Sequence, residues 1–196
     1  MKNIFSYLLI TLLLLTACGK QVPATKILAP LPAEGTCKIA ILPFLNESNY
    51  LQGGDMVAKI FHSELAASGQ FQLLQEGDVR NMYQQLLLYP NLLPNREQLK
   101  MIGGRLRSDL LVGGIVQKMY QRDSGNFVDT ELTLILLLYH GKTGEILWIT
   151  YHRRRGEEYQ QFMHIGRLKT LTALARRMSQ EIITDWINEG MLPCPE

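Results

Sequence analysis

The sequence predicts an α/β fold: a single domain with a mixed β-sheet of about five strands, in the order β-α-β-α-α-β-β-β-α, flanked by helices. Three observations carry that reading. Two short apolar runs, Lys38-Ile-Ala-Ile-Leu-Pro-Phe44 and Phe71–Leu74, are separated by an amphipathic stretch, the pattern of a crossover between strands. Two longer runs, Leu110–Tyr120 and Thr130–Tyr139, read as strands, and the second is apolar on both alternating faces, as a central strand inside a covered sheet should be. Near the end, Leu168, Leu171, Leu174, Met178, Ile182 and Trp186 recur every three or four residues, which a helix gathers onto one face.

Each element has its own local signals. Pro43 ends the first strand because it cannot donate into a ladder. Asn46–Gly54 is polar, and Asp55 has the character of a helix N-cap, with Val57, Ile60, Phe61 and Leu65 along one face. Gly69 stops that helix. Asp78 is expected to cap a helix carrying Val79, Met82, Tyr83, Leu86 and Leu87. Tyr89-Pro90 to Leu93-Pro94 interrupts it, and Asn95 can cap a helix over Arg96–Leu106. Gly113-Gly114 within the next strand invites a bulge or a close backbone approach. His140–Gly144 is a short turn into a strand over Glu145–Arg153, giving a hairpin. Gly190 and Pro193 end the last helix.

The amino terminus gives an address. Lys2, the apolar run Ile4–Leu15 and then Leu15-Thr16-Ala17-Cys18 form a secretory signal too short to span a bilayer, closed by a lipobox. This resembles bacterial lipoprotein precursors, in which the residue equivalent to Cys18 becomes the lipidated first mature residue, carrying thioether-linked diacylglycerol and an N-acyl chain such as palmitate. One acyl chain anchors only marginally and several hold stably. Gly19, where aspartate would retain such a protein on the inner membrane, favours the outer membrane, with the chain on its periplasmic face. The implied organisation is a signal peptide over 1–17, a lipidated flexible tether over 18–36, and a folded domain over 37–196. Pro23, Pro30, Pro32 and Gly35 support the tether, which would reach roughly 50 Å if extended.

Of three cysteines, Cys18 goes to lipid, which leaves Cys37 and Cys194. An even remainder in an oxidising compartment suggests one disulfide joining the two ends of the domain, against two free thiols. Neither has a CxxC or a nearby histidine, so a metal site is not indicated. The formal charge of +2 demands neither nucleic acid nor an acidic substrate.

No catalytic constellation emerges, and no cofactor or small-molecule substrate is expected. GxGxxG, GxxxxGK[ST], HExxH and GxSxG are all missing, so Gly53-Gly54-Asp55 at a helix start is better explained by packing than by phosphate. His62, His140, His152 and His164 are dispersed and suit surface or boundary positions. The densest charge feature is His152-Arg153-Arg154-Arg155, where alternation puts Arg153 and Arg155 on one face and Arg154 opposite. That run suits lipid headgroups, an anionic glycan, an acidic neighbour subunit, or simply an exposed hairpin end. Trp148 and Trp186 suit core packing, or anchoring at a membrane interface or partner.

Lys38-Ile-Ala-Ile-Leu-Pro-Phe44-Leu45-Asn46 with Gly54-Asp55-Met56-Val57-Ala58, Arg107-Ser-Asp109-Leu-Leu-Val-Gly113 and Lys142-Thr-Gly144-Glu-Ile-Leu-Trp148 resemble the periplasmic α/β domain shared by CsgG, PelC, LpoB and the TolB N-terminal domain. The resemblance spans residues 37–190. It implies an outer-membrane lipoprotein that acts without catalysis, as a structural or accessory subunit of an envelope export or assembly complex, with a homo-oligomeric ring among its arrangements. The chain is too compact for the barrel-forming hairpins of CsgG. An LpoB-like activator of a peptidoglycan synthase is the alternative the same resemblance implies.

Overall fold

A computed structural model describes residues 23–32, 38–123, 125, 128–161 and 165–191. In chain order the elements are β1 (Ala24–Ile27), β2 (Lys38–Ile41), β3 (Leu45–Asn46), α1 (Gly53–Ala67), β4 (Gln72–Leu73), α2 (Glu76–Gln85), α3 (Arg96–Leu106), β5 (Leu110–Asp123), β6 (Val128–His140), β7 (Ile146–Arg155) and α4 (Leu171–Asn188). A 3₁₀ turn, Gly156–Tyr159, follows β7.

One mixed sheet holds all seven strands in the order β1-β7-β6-β5-β2-β4, with β3 pairing to β5 beyond β2. β2 lies parallel to β4 and β5, whereas β5-β6-β7-β1 is an antiparallel run. The α/β class therefore holds, with two strands more than the sequence suggests. The additions are β3, only two residues long, and β1.

β1 corrects the reading of residues 18–36 as a flexible tether throughout. Ala24–Ile27 pairs with Tyr151–Trp148 on the edge of the sheet. Its short alternation, with only Thr25 turned inward, is masked by flanking prolines. Thr25 Oγ1 lies 2.9 Å from Thr150 Oγ1 and donates to Asp185 at 2.6 Å, tying the strand to both β7 and α4. Signal residues 1–17 and the cysteines Cys18, Cys37 and Cys194 lie outside the described residues.

Helices cover the two sides of the sheet unequally. On one side α1 and α4 close a large core: Val57, Phe61, Leu65, Leu174, Met178, Ile182 and Trp186 pack on Ile39, Val112, Leu134, Leu136 and Trp148. On the other, α2 and α3 cover a smaller patch made of Ala40, Leu42, Leu111, Leu137 and Tyr139. A four-residue apolar repeat on α4 and long apolar strands suffice to specify the first layer.

The caps are mixed. Asn95 does cap α3, accepting from the Gln98 amide while Gln98 reaches back, a capping box. Asp55 and Asp78 instead sit inside the first turns of α1 and α2, where a carboxylate complements the helix dipole without capping it. Gly114 explains itself by close approach: a Cβ there would stand 2.6 Å from the Phe44 ring. The irregularity of β5 falls further on, between Val116 and Lys118.

Candidate interaction surface

β7 feeds two different surfaces by simple alternation. Trp148, Thr150, His152 and Arg154 point under α4; Ile149, Tyr151, Arg153 and Arg155 point to the side where α2 and α3 cover only part of the sheet.

Under α4, Trp148 and Trp186 meet edge-on at 6.5 Å, and the Trp186 indole donates to Thr150 Oγ1 at 2.7 Å. Trp148 is only 2% exposed, so it is core, and the anchoring role is excluded for it by burial. Arg154, 8% exposed, is likewise not a surface contact: it donates to Glu181 at 3.1 Å and to Glu158 at 3.2 Å. His152 is buried rather than at the boundary, 2.7 Å from Glu181 Oε2, which also accepts from the Tyr159 hydroxyl at 3.0 Å. Burial by itself would raise the Glu181 carboxyl, but the hydrogen bonds and charges of His152, Arg154 and Tyr159 outweigh it and hold the group below its ordinary value. This network is structural: every charge in it is matched by a neighbour inside the fold.

The other side is open. Ile115, Ile135 and Ile149 are only half-buried, and Tyr151 is 44% exposed. Above them Glu131, 1% exposed, collects Lys118 at 3.1 Å, Arg153 at 2.9 Å and Arg155 at 3.7 Å. Burial works to raise the Glu131 carboxyl, and the Lys118 and Arg153 contacts reverse that and lower it. Three cations on one carboxylate leave a positive surplus, and all three cations keep exposed surface. Lys118 also stacks 5.2 Å above the Tyr120 ring. Of the residues singled out in the sequence, Arg153 and Arg155 therefore share one face as alternation requires, and Arg154 and Trp148 leave it.

The same side corrects the reading that put Leu86 and Leu87 on a helix face, because α2 ends at Gln85. Between α2 and α3 runs Leu86-Leu-Leu-Tyr-Pro-Asn-Leu-Leu-Pro-Asn95. Leu88 N bonds Tyr83 O at 2.8 Å across the end of α2, and Leu87 occupies the left-handed position with φ 53°. Glycine usually stands there; a left-handed leucine costs roughly 1–2 kcal/mol. The result is that Leu86 and Leu88 pack inward against the smaller core patch, while Leu87 (85%), Tyr89 (69%) and Leu92 (61%) face solvent. The available signal was five leucines and a tyrosine inside a connection otherwise made of proline and asparagine.

A cleft of about 770 Å³ opens between α1 and α2 at the carboxyl end of β2. Its floor is Ile41, Leu42, Phe44, Val79, Tyr83 and Leu88, and its rim carries Asp55 paired to Lys59 at 2.9 Å and His62, whose Nε2 lies 3.3 Å from the Leu74 carbonyl. Gly54, at the start of α1, admits the Phe44 carbonyl, which a Cβ would meet at 2.4 Å; packing thus accounts for the glycine pair. Among the described residues no group of three or more His, Cys, Asp or Glu is placed to hold a metal, and no helix is long and apolar enough to cross a membrane.

The α/β sheet, with one helical layer complete and the other partial, is a fold found among solved structures. The fold is shared with the PelC dodecamer from Paraburkholderia phytofirmans, at TM-score 0.52 and 13% identity over 83% of this chain and 95% of that one. It is shared also with lipoprotein GNA1162 from Neisseria meningitidis, at TM-score 0.56 and 15% identity over 78% and 99%. The LpoB C-terminal domain from Escherichia coli aligns at TM-score 0.48 and 19% identity over 65% and 89%. No protein-family model matches the sequence, and no curated protein matches it.

Proposed function

We propose that the protein is a non-enzymatic lipoprotein of the outer membrane, acylated at Cys18, that serves as an accessory subunit of an envelope export or assembly complex and associates with copies of itself. The observation that carries this reading is the apolar surface left uncovered beside α2 and α3. Leu87, Tyr89 and Leu92 are exposed on the α2–α3 connection, and Tyr151 is exposed on β7 on the same side of the sheet; exposed apolar side chains gathered on one side of a folded domain mark a protein contact. The fold likeness to a dodecamer and to a lipoprotein supports the same reading.

The cell-wall-synthase activator is the weaker alternative. It needs a long reach from the membrane, and β1 takes residues 24–27 out of the tether, leaving residues 19–22 between Cys18 and Pro23. A disulfide between Cys37 and Cys194 remains part of the proposal and is tested by non-reducing mass spectrometry, where two free thiols refute it.

Light scattering tests the assembly. The chain from residue 18 carrying Cys18→Ser should form a defined oligomer at micromolar concentration, and Leu87→Ser/Tyr89→Ser should shift it to monomer. A wild-type monomer under those conditions overturns self-association. Growth with labelled palmitate tests the anchor, which fails if the mature protein carries no label.

A further inference from the structure

We infer that the end of the sheet carrying Arg122, Arg153 and Arg155 lies directly on the anionic headgroup surface of the membrane, so that the domain is clamped to the bilayer by charge as well as by its lipid; this rests on acylation of Cys18. The course of the chain supplies the first argument. β1 runs antiparallel to β7 with Ala24 opposite Tyr151, so its amino end points toward Arg153 and Arg155. Cys18 precedes Pro23, itself buried, by five residues, and a chain of that length spans at most roughly 17 Å. The anchor is therefore held near one end of the sheet and cannot swing to the other.

Charge at that end supplies the second argument. Lys118, Tyr120 and Arg122 fall on one face of β5 by alternation, opposite Glu131 and Asp129 of β6, with Arg153 and Arg155 alongside on β7. Four cations face Glu131 and Asp129, and Asp129 already bonds Arg167 from outside the cluster. Glu157, at the rim, lies 3.4 Å from Arg155. With Arg167 counted beside the four cations, and exposed Asp123 at the end of β5 and Glu157 counted beside Glu131 and Asp129, the end of the sheet keeps a small positive surplus carried by exposed side chains. Basic side chains at an anionic lipid surface each contribute roughly a fivefold gain in binding.

Side chains suited to an interface occur at the same end. Tyr120 is 36% exposed over its lysine, and Leu51, in the loop after β3, is 97% exposed. β3 ends level with Val116, so that loop stands at the same end of the sheet as the cations. Tyrosine with lysine and arginine is the composition that settles at headgroup depth. The apolar patch of α2 and α3 remains free for a protein partner.

Vesicle co-sedimentation separates this clamp from the lipid. The chain from residue 18 carrying Cys18→Ser, which cannot be acylated, should sediment with vesicles of phosphatidylcholine containing about one-third phosphatidylglycerol and not with phosphatidylcholine alone. Arg122→Glu/Arg155→Glu, which leaves Lys118 and Arg153 on Glu131, should weaken that binding by roughly 25-fold or more. Raising salt from low to about 0.5 M should release the protein. Equal binding to both vesicles, no binding to either, or an undiminished double variant with native circular dichroism would overturn the inference. So would a double variant that changes oligomer size instead, which would assign the cations to a second copy. Palmitate labelling of the unaltered chain is read separately, so a missing anchor and a missing clamp give different results.

Discussion

Two carboxylates, Glu131 buried and Glu181 half-buried, sit on opposite sides of β6 and β7, and their surroundings differ in one respect that decides their roles. Glu181, under α4, is matched by His152 and Arg154, which are themselves 1% and 8% exposed. Glu131, on the open side, is matched by Lys118, Arg153 and Arg155, whose side chains are 40–54% exposed. In the first site the two nearest partners lose their water on folding and are committed to Glu181 and, for Arg154, Glu158, with Arg177 adding a more exposed contact at 3.5 Å. In the second the cations keep water and can engage a further anion without leaving the carboxylate. A buried charge network thus stabilises a helix on one side and builds a cationic surface on the other.

The largest effect should come from the closed side itself. Trp186→Ala removes the ring that packs on Phe61 at 5.6 Å and on Trp148, and leaves Thr150 without its indole donor. We expect a loss of about 3–5 kcal/mol in urea unfolding. A loss under about 1 kcal/mol would mean that α4 is not the main cover of the sheet.

The carboxylate comparison comes next. Glu181→Ala leaves buried His152 without its carboxylate and buried Arg154 with Glu158 alone, and should cost about 3 kcal/mol. Glu131→Ala leaves cations that simply rehydrate and should cost about 1 kcal/mol or less. Equal losses would break the contrast between the sites. Acid sharpens it. Both carboxyls titrate below their ordinary 4.5, so their contribution is complete above that value and drains away as pH falls through the lower folded values. Thermal unfolding between pH 6 and pH 2 should show that decline, and Glu181→Gln should flatten it more than Glu131→Gln.

How much of this was legible in the sequence follows from periodicity. α4, β5, β6 and the β6–β7 hairpin are long and strongly patterned, so apolar spacing alone located them. Asn95 was readable as a cap because Gln98 stands three residues on, whereas Asp55 and Asp78 were drawn inside their helices by the glycines and glutamate before them. β1 was hidden because four residues with one inward side chain give no period, and its evidence is tertiary: Thr150 and Asp185 are more than a hundred residues away. For the arginine run, alternation sorted Arg154 from Arg153 and Arg155 correctly. It could not reveal which face α4 would cover, nor that Glu181 waited there for His152. The solvent-facing leucines of the α2–α3 connection were written in plain view, but a stretch of leucines reads as core until the backbone turn at Leu87 is known.

The edge strand offers a finer test of the same two-sided arrangement. Thr25→Val keeps the shape of β1 but removes the hydroxyl shared with Thr150 and Asp185, at a cost of about 1 kcal/mol. Hydrogen exchange should report it locally: the β1 amides should lose protection while those of β6 keep theirs. Protection unchanged in both strands would show that backbone pairing alone holds β1 in place.

The smallest stability effect belongs to the open side. Tyr151→Ser and Leu87→Ser alter residues that are 44% and 85% exposed, so each should leave the unfolding free energy within about 0.5 kcal/mol of the unaltered chain. Leu87→Gly should go further and stabilise, since it relieves the left-handed leucine at φ 53° and reduces the backbone strain of the α2 cap. A patch kept only for folding would respond in the opposite way, losing stability when its apolar groups are cut back. If Leu87→Gly raises the midpoint of unfolding while lowering the oligomer mass, the strain at the end of α2 serves the contact between subunits and nothing within the subunit.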